Sequence, residues 1–75
     1  MSNKNKYPSP PIEIITLDWI DKQREKHQIS DYRLSLLIGQ DRSYLGSIRN
    51  GKKGMNKGVK SAIWYLFKLI ENNML

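Results

Sequence analysis

The sequence predicts an all-α domain of four short helices, and three observations lead to this prediction. First, apolar residues recur at helical spacing in four segments of the chain. Second, the segments are bounded by residues that begin or end helices, such as Ser30 before the second segment and Gly39 after it. Third, only a short corner separates the second and third segments, so those two helices are expected to form a tight pair.

Length and composition exclude several classes of protein. The chain has 75 residues, which is enough for one domain with a small core. It contains no cysteine, so a disulfide framework and a thiolate metal site are excluded. The N-terminal residues have no apolar signal-peptide core, and no apolar run approaches the roughly 20 residues that span a bilayer. We therefore expect a cytoplasmic protein that does not bind membranes.

The N-terminal residues differ in composition from the remainder of the chain. Residues 1–11 contain two lysines and three prolines but little apolar surface, which predicts a flexible arm. The folded domain is expected to span residues 12–75 and to begin with the apolar stretch Ile12 to Ile15. Thr16 is a suitable N-cap for a first helix from about Leu17 to His27.

The second and third helices are predicted from their caps. Ser30 begins the second helix, and Gly39 is expected to end it in the left-handed conformation. Asp41 then caps a third helix, predicted from Arg42 to about Asn50. This helix is intrinsically weak, because Gly46 alone costs about 1 kcal/mol relative to alanine. We interpret it as a helix whose polar face is presented to a partner.

The fourth helix, predicted from about Lys57 to Asn72, is apolar on nearly every side. Its core stripe is predicted to be Val59, Ile63, Leu66, Phe67 and Ile70. A chain of this size has little material to cover the remaining apolar side chains, so we predict a homodimer interface. The predicted interface residues are Trp64, Tyr65, Leu69 and Met74. Alternatively, these side chains fold back over Ile12 to Ile15 of the same chain.

Positive charge is concentrated in one stretch of the sequence. The segment from Arg42 to Lys60 contains six cationic residues and no acid. The other residues are balanced, with seven bases and seven acids, so this segment accounts for the entire net charge of +6. A localised positive surface favours a polyphosphate over a small acidic substrate, which indicates nucleic-acid binding.

Several residues in this region match the pattern of a known DNA-binding family. They are Arg24 in the first helix, Ser35 directly after Leu34, Gly39 at the turn, Leu45 and Ile48 in the third helix, and the ending Asn50-Gly51-Lys52. The stretch from about Ile20 to Ile70 thereby resembles the helix-turn-helix domain of the Cro/phage-repressor (Xre) type. The resemblance implies a lambda-repressor-like fold, a double-stranded DNA ligand and an origin in a phage, prophage or mobile element.

Two positions depart from that family's pattern. The family often has an acid where Arg49 stands, paired with the first-helix arginine, so Arg24 and Arg49 are not expected to form that ion pair. Asp31 stands where a phosphate-contacting amide or cation is common.

The resemblance also implies a set of DNA contacts. The predicted base contacts are Arg42, Ser43, Tyr44 and Ser47. The predicted phosphate contacts are Ser30, Arg49, Asn50, Lys52, Lys53, Lys57 and Lys60. An α-helix fits the major groove, where an arginine can donate two hydrogen bonds to guanine, and lysines beyond the helix can reach phosphates. We expect Tyr44 to be packed in part against the protein.

We found no pattern that indicates catalysis. The sequence has no nucleophile and base at characteristic spacing, no phosphate-cradling glycine motif and no cluster of metal ligands. We therefore expect no enzyme activity, no cofactor and no metal, and we interpret the lone His27 as a surface residue.

The sequence thus favours a sequence-specific DNA-binding transcriptional regulator, most simply a dimeric autorepressor that binds an inverted-repeat operator. The chain has no room for a sensor domain, so its concentration, its degradation or a separate protein partner would control it. The alternative is a helical protein-binding module, an antitoxin or inhibitor, that holds its target with the apolar fourth helix.

Overall fold

A computed structural model describes residues 9–73 of the chain. Its elements, in chain order, are a 3₁₀ turn at Ile12–Ile14 and the helices α1 (Leu17–His27), α2 (Asp31–Leu37), α3 (Tyr44–Arg49) and α4 (Lys57–Glu71). The predicted all-α fold with four helices is confirmed, and residues 9–73 contain no strand. Residues 1–8 of the predicted arm and the predicted interface residue Met74 lie outside the described residues. No helix within residues 9–73 combines the length and the apolar character needed to cross a membrane.

Three of the four helices begin at a side-chain cap. Thr16, Ser30 and Asn56 precede α1, α2 and α4, and each side chain accepts a hydrogen bond from the backbone N–H three residues later, at 3.2, 3.0 and 2.8 Å. The first backbone N–H groups of a helix have no partner within the helix, so these caps define where each helix starts. The caps predicted at Thr16 and Ser30 are confirmed.

The third helix starts two residues later than predicted. The Asp41 carboxylate accepts hydrogen bonds from the backbone N–H of Ser43 at 2.8 Å and from its hydroxyl at 2.6 Å. The Asp41 carbonyl also accepts the N–H of Tyr44 at 2.9 Å. These short-range bonds close a tight turn, so Arg42 and Ser43 lie in that turn rather than in a helix. Asp41 still supplies the acceptors that lead the chain into α3.

Two glycines reverse the chain after α2 and α3. Gly39 and Gly51 have φ angles of +82° and +76°, a region that side chains other than glycine rarely adopt. After each glycine, the next N–H donates to the carbonyl five residues earlier at 2.9 Å, which satisfies a carbonyl at the helix end. Gln28 adopts the same left-handed conformation after α1, with φ of 58°, although it is not a glycine.

The core draws side chains from all four helices and from Ile15, which follows the 3₁₀ turn. The fully buried apolar residues are Ile15, Ile20, Leu34, Leu45, Ile63 and Phe67. The 3₁₀ turn packs against α4. Trp64, which we expected at a subunit interface, is only 8% exposed and belongs to this same core. The structure therefore follows the alternative interpretation for Trp64, in which the ring is covered by its own chain.

Candidate nucleic-acid interface

The helix α3 has one buried side and one outward side. Three buried side chains hold it against the rest of the chain: Tyr44, Leu45 and Ile48. Successive helical residues are rotated by about 100°, so Gly46, Ser47 and the following Asn50 point away from that side. A Cβ atom added to Gly46 would meet no atom within 4 Å, so the space above it is open. The outward side of α3 is thus small and uncharged at Gly46 and Ser47, and the exposed Arg49 lies at its end.

A buried hydroxyl joins α3 to α2. Ser35 lies in α2 with no exposed surface, and its Oγ accepts a hydrogen bond from the backbone N–H of Leu45 at 3.2 Å. That N–H belongs to the first turn of α3, where amides have no partner in their own helix. The family resemblance predicted a small residue at position 35 but not the hydrogen bond that its hydroxyl makes. Packing and this hydrogen bond together locate α3 on α2.

An ion network joins the end of α3 to α1 and α2. Arg49 donates from Nε to Asp31 Oδ2 at 2.6 Å and from Nη1 to Asp21 Oδ2 at 3.0 Å, and Nη2 bonds to both carboxylates. Arg24 lies on the same two acids, with Nη2 3.0 Å from Asp21 Oδ1 and Nε 3.0 Å from Asp31 Oδ1. Arg24 and Arg49 therefore do not pair with each other but share two carboxylates between them.

This network gives Arg49 a structural role in place of the phosphate contact that we predicted. Its hydrogen bond is the largest influence on Asp21 and lowers the pKa of that carboxyl below its ordinary value. Hydrogen bonds to Asp31 and Asp21 raise the pKa of Arg49 in return. The guanidinium that we expected to contact phosphate is thus engaged within the chain. Asp31 stands where the family often has a phosphate contact, and here it is one of the two acids that pair with Arg49.

The remaining cations of the basic segment lie in the turn before α3, in the loop after it and in the first turn of α4. Arg42, Lys52, Lys53 and Lys57 are exposed, and Lys60 is partly buried. The N–H of Lys52 donates to the carbonyl of Ser47 at 2.9 Å, which fixes the start of the loop of residues 50–56 at the end of α3. Lys53 Nζ lies 5.2 Å from the centroid of the Tyr44 ring, a distance typical of a cation–π contact. The basic loop is therefore attached to α3 at two points.

Tyr44 and Ser30 have structural partners as well as predicted DNA contacts. The Tyr44 ring is buried and covered by Lys53, which agrees with the expectation that it packs against the protein. The Ser30 hydroxyl accepts the N–H of Arg33 as the cap of α2. Asn50 is exposed at the end of α3. The basic loop follows the end of α3, and Ser30 lies near that same end, because its neighbour Asp31 bonds to Arg49.

His27 is less exposed than we predicted. Its ring stacks on Phe67, with ring centroids 5.9 Å apart and an interplanar angle of 24°. His27 Nε2 and Gln23 Oε1 are both buried without a hydrogen-bond partner. No group of three histidines, cysteines or acids within residues 9–73 is arranged to hold a metal ion. His27 is thus a packing residue of α1 at the edge of the core.

Comparison of the chain with known proteins gave no match to a family model, a curated protein or a solved structure. The similarity to Cro/phage repressors therefore depends on the residues quoted above. Function must be inferred from the surface of α3, its adjoining loop and the exposed side of α4.

Proposed function

We propose that this protein is a transcriptional regulator that binds double-stranded DNA in a sequence-specific manner, with α3 in the major groove. The observation that carries the proposal is the outward surface of α3. Its central residues, Gly46 and Ser47, are small and uncharged, and a loop with exposed lysines follows the helix. A flat helix face beside localised positive charge suits a groove that is lined by phosphates.

Base recognition would come from the tight turn and the first part of α3. Gly46 leaves the helix backbone free to approach the floor of the groove. Ser47 can donate to or accept from base edges, whereas the Ser43 hydroxyl donates to Asp41 and can accept from a base. Arg42 is exposed in the turn just before α3, and its guanidinium can donate two hydrogen bonds to O6 and N7 of one guanine.

Phosphate contacts would come from the loop and from the start of α4. Lys52, Lys53 and Lys57 are exposed there, and no acid lies between Arg42 and Lys60. Lysine contacts to phosphate fix the position of a protein on DNA but do not read its sequence. Arg49 is excluded from this set, because its guanidinium serves the network with Asp21 and Asp31.

The regulator would act in the cytoplasm as a homodimer and a repressor. Two copies related by a two-fold axis would place their α3 helices in successive major grooves, about 34 Å apart. The operator would then be an inverted repeat. A small protein of the phage or mobile-element type that represses its own gene fits this description.

The variant Gly46→Ala tests the proposal directly. Alanine fits the open space above residue 46 and favours the helix, so the free energy of unfolding should rise by about 0.5–1 kcal/mol. The added methyl group would nevertheless lie between α3 and the bases, and affinity for the preferred DNA should fall at least tenfold. The preferred DNA would first be selected from randomised duplexes, and binding would be followed by fluorescence anisotropy.

Two results would overturn the proposal. One is a selection that enriches no sequence. The other is a Gly46→Ala protein that binds the selected duplex as tightly as wild type, since α3 would then lie away from DNA. Lys22→Ala provides a control for general damage, because this exposed lysine of α1 lies outside the basic segment. Its DNA affinity should remain close to that of wild type.

A further inference from the structure

The exposed side of α4 carries no charge along its centre. At about 100° per residue, Gly58, Ser61, Leu69 and Asn72 lie within about 40° of Tyr65, whereas Ala62 and Lys68 lie about 60° from it on opposite sides. Tyr65 is 41% exposed and Leu69 is 40% exposed. We call Tyr65 together with Gly58, Ser61, Ala62, Leu69 and Asn72 the α4 face, and Lys68 marks its charged edge. Exposed helix surfaces normally carry charged side chains, so an uncharged face of this length indicates that something covers it.

The charged residues of α4 all lie along one edge of the α4 face. The same helical geometry places Lys57, Lys60, Lys68 and Glu71 together on that edge. The opposite edge leads to Leu66 and Ile70, which pack into or against the core. The charged edge is basic at the start of the helix and includes an acid at its end. A partner helix that runs in the opposite direction would therefore place opposite charges near each other.

We propose that the α4 face packs against the α4 face of a second copy of this chain, with the two helices antiparallel and the two-fold axis near Tyr65. The inference rests on the homodimer of the proposed function but does not require that the dimer bind DNA. Two features of the α4 face, one of size and one of charge, make it complementary to a second copy of itself in this orientation.

The sizes of the side chains are complementary under an antiparallel two-fold operation. Residues equally far from Tyr65 face each other, so Leu69 of one copy lies over Ser61 and beside Ala62 of the other. The large side chains are in the C-terminal half of the face, and the small ones, with Gly58, are in the N-terminal half. A parallel pair would instead bring Leu69 against Leu69 and leave a gap between the small residues. Close packing therefore favours antiparallel helices.

The charges are complementary under the same operation. A two-fold axis between antiparallel helices keeps the charged edge of each copy on the same side of the interface. Glu71 of one copy then lies near Lys57 and Lys60 of the other. In a parallel two-fold pair the charged edges would lie on opposite sides of the interface, so Glu71 of one copy would not meet the lysines of the other. Within its own chain Glu71 Oε1 lies 3.5 Å from Lys68 Nζ.

The size of the α4 face predicts a weak dimer. The helix has 15 residues, which corresponds to a length of about 22 Å. Two helices of this length bury less than the roughly 1,200 Å² of a standard interface, so we expect dissociation in the micromolar range or above. DNA with two half-sites would raise the effective concentration of one copy near the other and strengthen the dimer.

Sedimentation of the full chain without DNA tests the inference. Wild type should pass from one to two subunits as concentration rises, and Leu69→Glu should remain at one subunit at least tenfold above the wild-type midpoint. Leu36→Glu is the matched control, because Leu36 is an exposed leucine of a different helix, 50% exposed on α2. That variant should dimerise like wild type. Both variants should keep the helical circular dichroism spectrum of wild type, which checks that neither is simply unfolded.

Cross-linking tests the antiparallel orientation. The chain has no cysteine, so introduced cysteines can pair only with each other. Under mild oxidation, a mixture of Ser61→Cys and Leu69→Cys proteins should form the mixed disulfide in preference to either self-paired product. Preferential self-pairing of Leu69→Cys would overturn the antiparallel arrangement.

The inference and the DNA-binding proposal can fail separately. A wild-type protein that sediments as one subunit at all concentrations and on DNA overturns the dimer, even if it binds a half-site tightly. Retention of the dimer by Leu69→Glu, or its loss in Leu36→Glu, also overturns the assignment of the α4 face. A dimer that selects no DNA sequence leaves the α4 face supported and rejects the DNA-binding proposal.

Discussion

Ser35 connects two helices through a single buried hydroxyl. In Ser35→Ala the N–H of Leu45 loses its acceptor in a buried position, so the free energy of unfolding should fall by about 1–2 kcal/mol. Urea denaturation followed by circular dichroism measures this loss. Ser47→Ala is the control, because Ser47 lies on the outward side of α3, and its unfolding free energy should change by less than about 0.5 kcal/mol. An equal loss in both variants would show that the hydroxyl of Ser35 has no special role.

The lysines of the basic loop should act through charge alone. If Lys52 contacts a phosphate, Lys52→Ala should reduce the slope of log K against log salt concentration by about one per copy bound. Fluorescence anisotropy at a series of salt concentrations measures the slope. Lys22→Ala removes the same charge from an exposed position on α1 and should leave the slope unchanged. Equal slopes for Lys52→Ala and wild type would contradict a phosphate contact.

At the scale of helices, the ion network sets the position of α3. Arg49→Ala leaves Asp21 and Asp31 close together with only Arg24 to balance them. We expect the unfolding free energy to fall by about 1–2 kcal/mol, because the four side chains are partly shielded from solvent. Lys22→Ala removes the exposed ion pair between Lys22 and Asp18. This variant should lower the unfolding free energy by less than about 0.5 kcal/mol. Chemical denaturation of both variants provides the comparison.

The same network gives stability a dependence on pH. The hydrogen bond from Arg49 lowers the pKa of Asp21 below its ordinary value of 3.8. A carboxyl with a lowered pKa stabilises the fold above its unfolded-state pKa, and this stability is lost as pH falls through the folded-state value. The stability difference between wild type and Arg49→Ala should therefore be constant above about pH 5 and shrink below 3.8. A difference that does not shrink as pH falls below 3.8 would contradict a network based on ionised Asp21.

The position of the helix ends was largely predictable because it depends on local chemistry. Thr16 and Ser30 cap α1 and α2 through the amide three residues later, and such a bond needs no other part of the chain. Gly39 and Gly51 reverse the chain for an equally local reason. The start of α3 was less predictable, since Asp41 can accept hydrogen bonds either in a tight turn or at a helix cap, and here it closes a turn.

At the scale of the whole molecule, dimerisation and DNA recognition should be coupled. A dimer with fixed geometry should bind two half-sites more tightly than one, and only at a spacing near one helical turn of DNA. Insertion of about five base pairs between the half-sites turns the second site to the opposite side of the duplex, so the gain in affinity should disappear. Titration of duplexes with graded spacing measures this effect. A gain that does not depend on spacing would indicate two independent monomers.

The amino-acid sequence by itself determined the all-α class, the bounds of α1 and the concentration of positive charge between residues 42 and 60. These properties depend on neighbours along the chain. Only the tertiary structure decided that Trp64 is buried and that the Ser35 hydroxyl accepts a hydrogen bond from α3. It also decided that Arg49 forms ion pairs with Asp21 and Asp31. Arg49 and Asp21 are 28 positions apart, and they meet only because three helices dock on one core. Contacts of that kind depend on how helices pack, which the local pattern of residues does not specify.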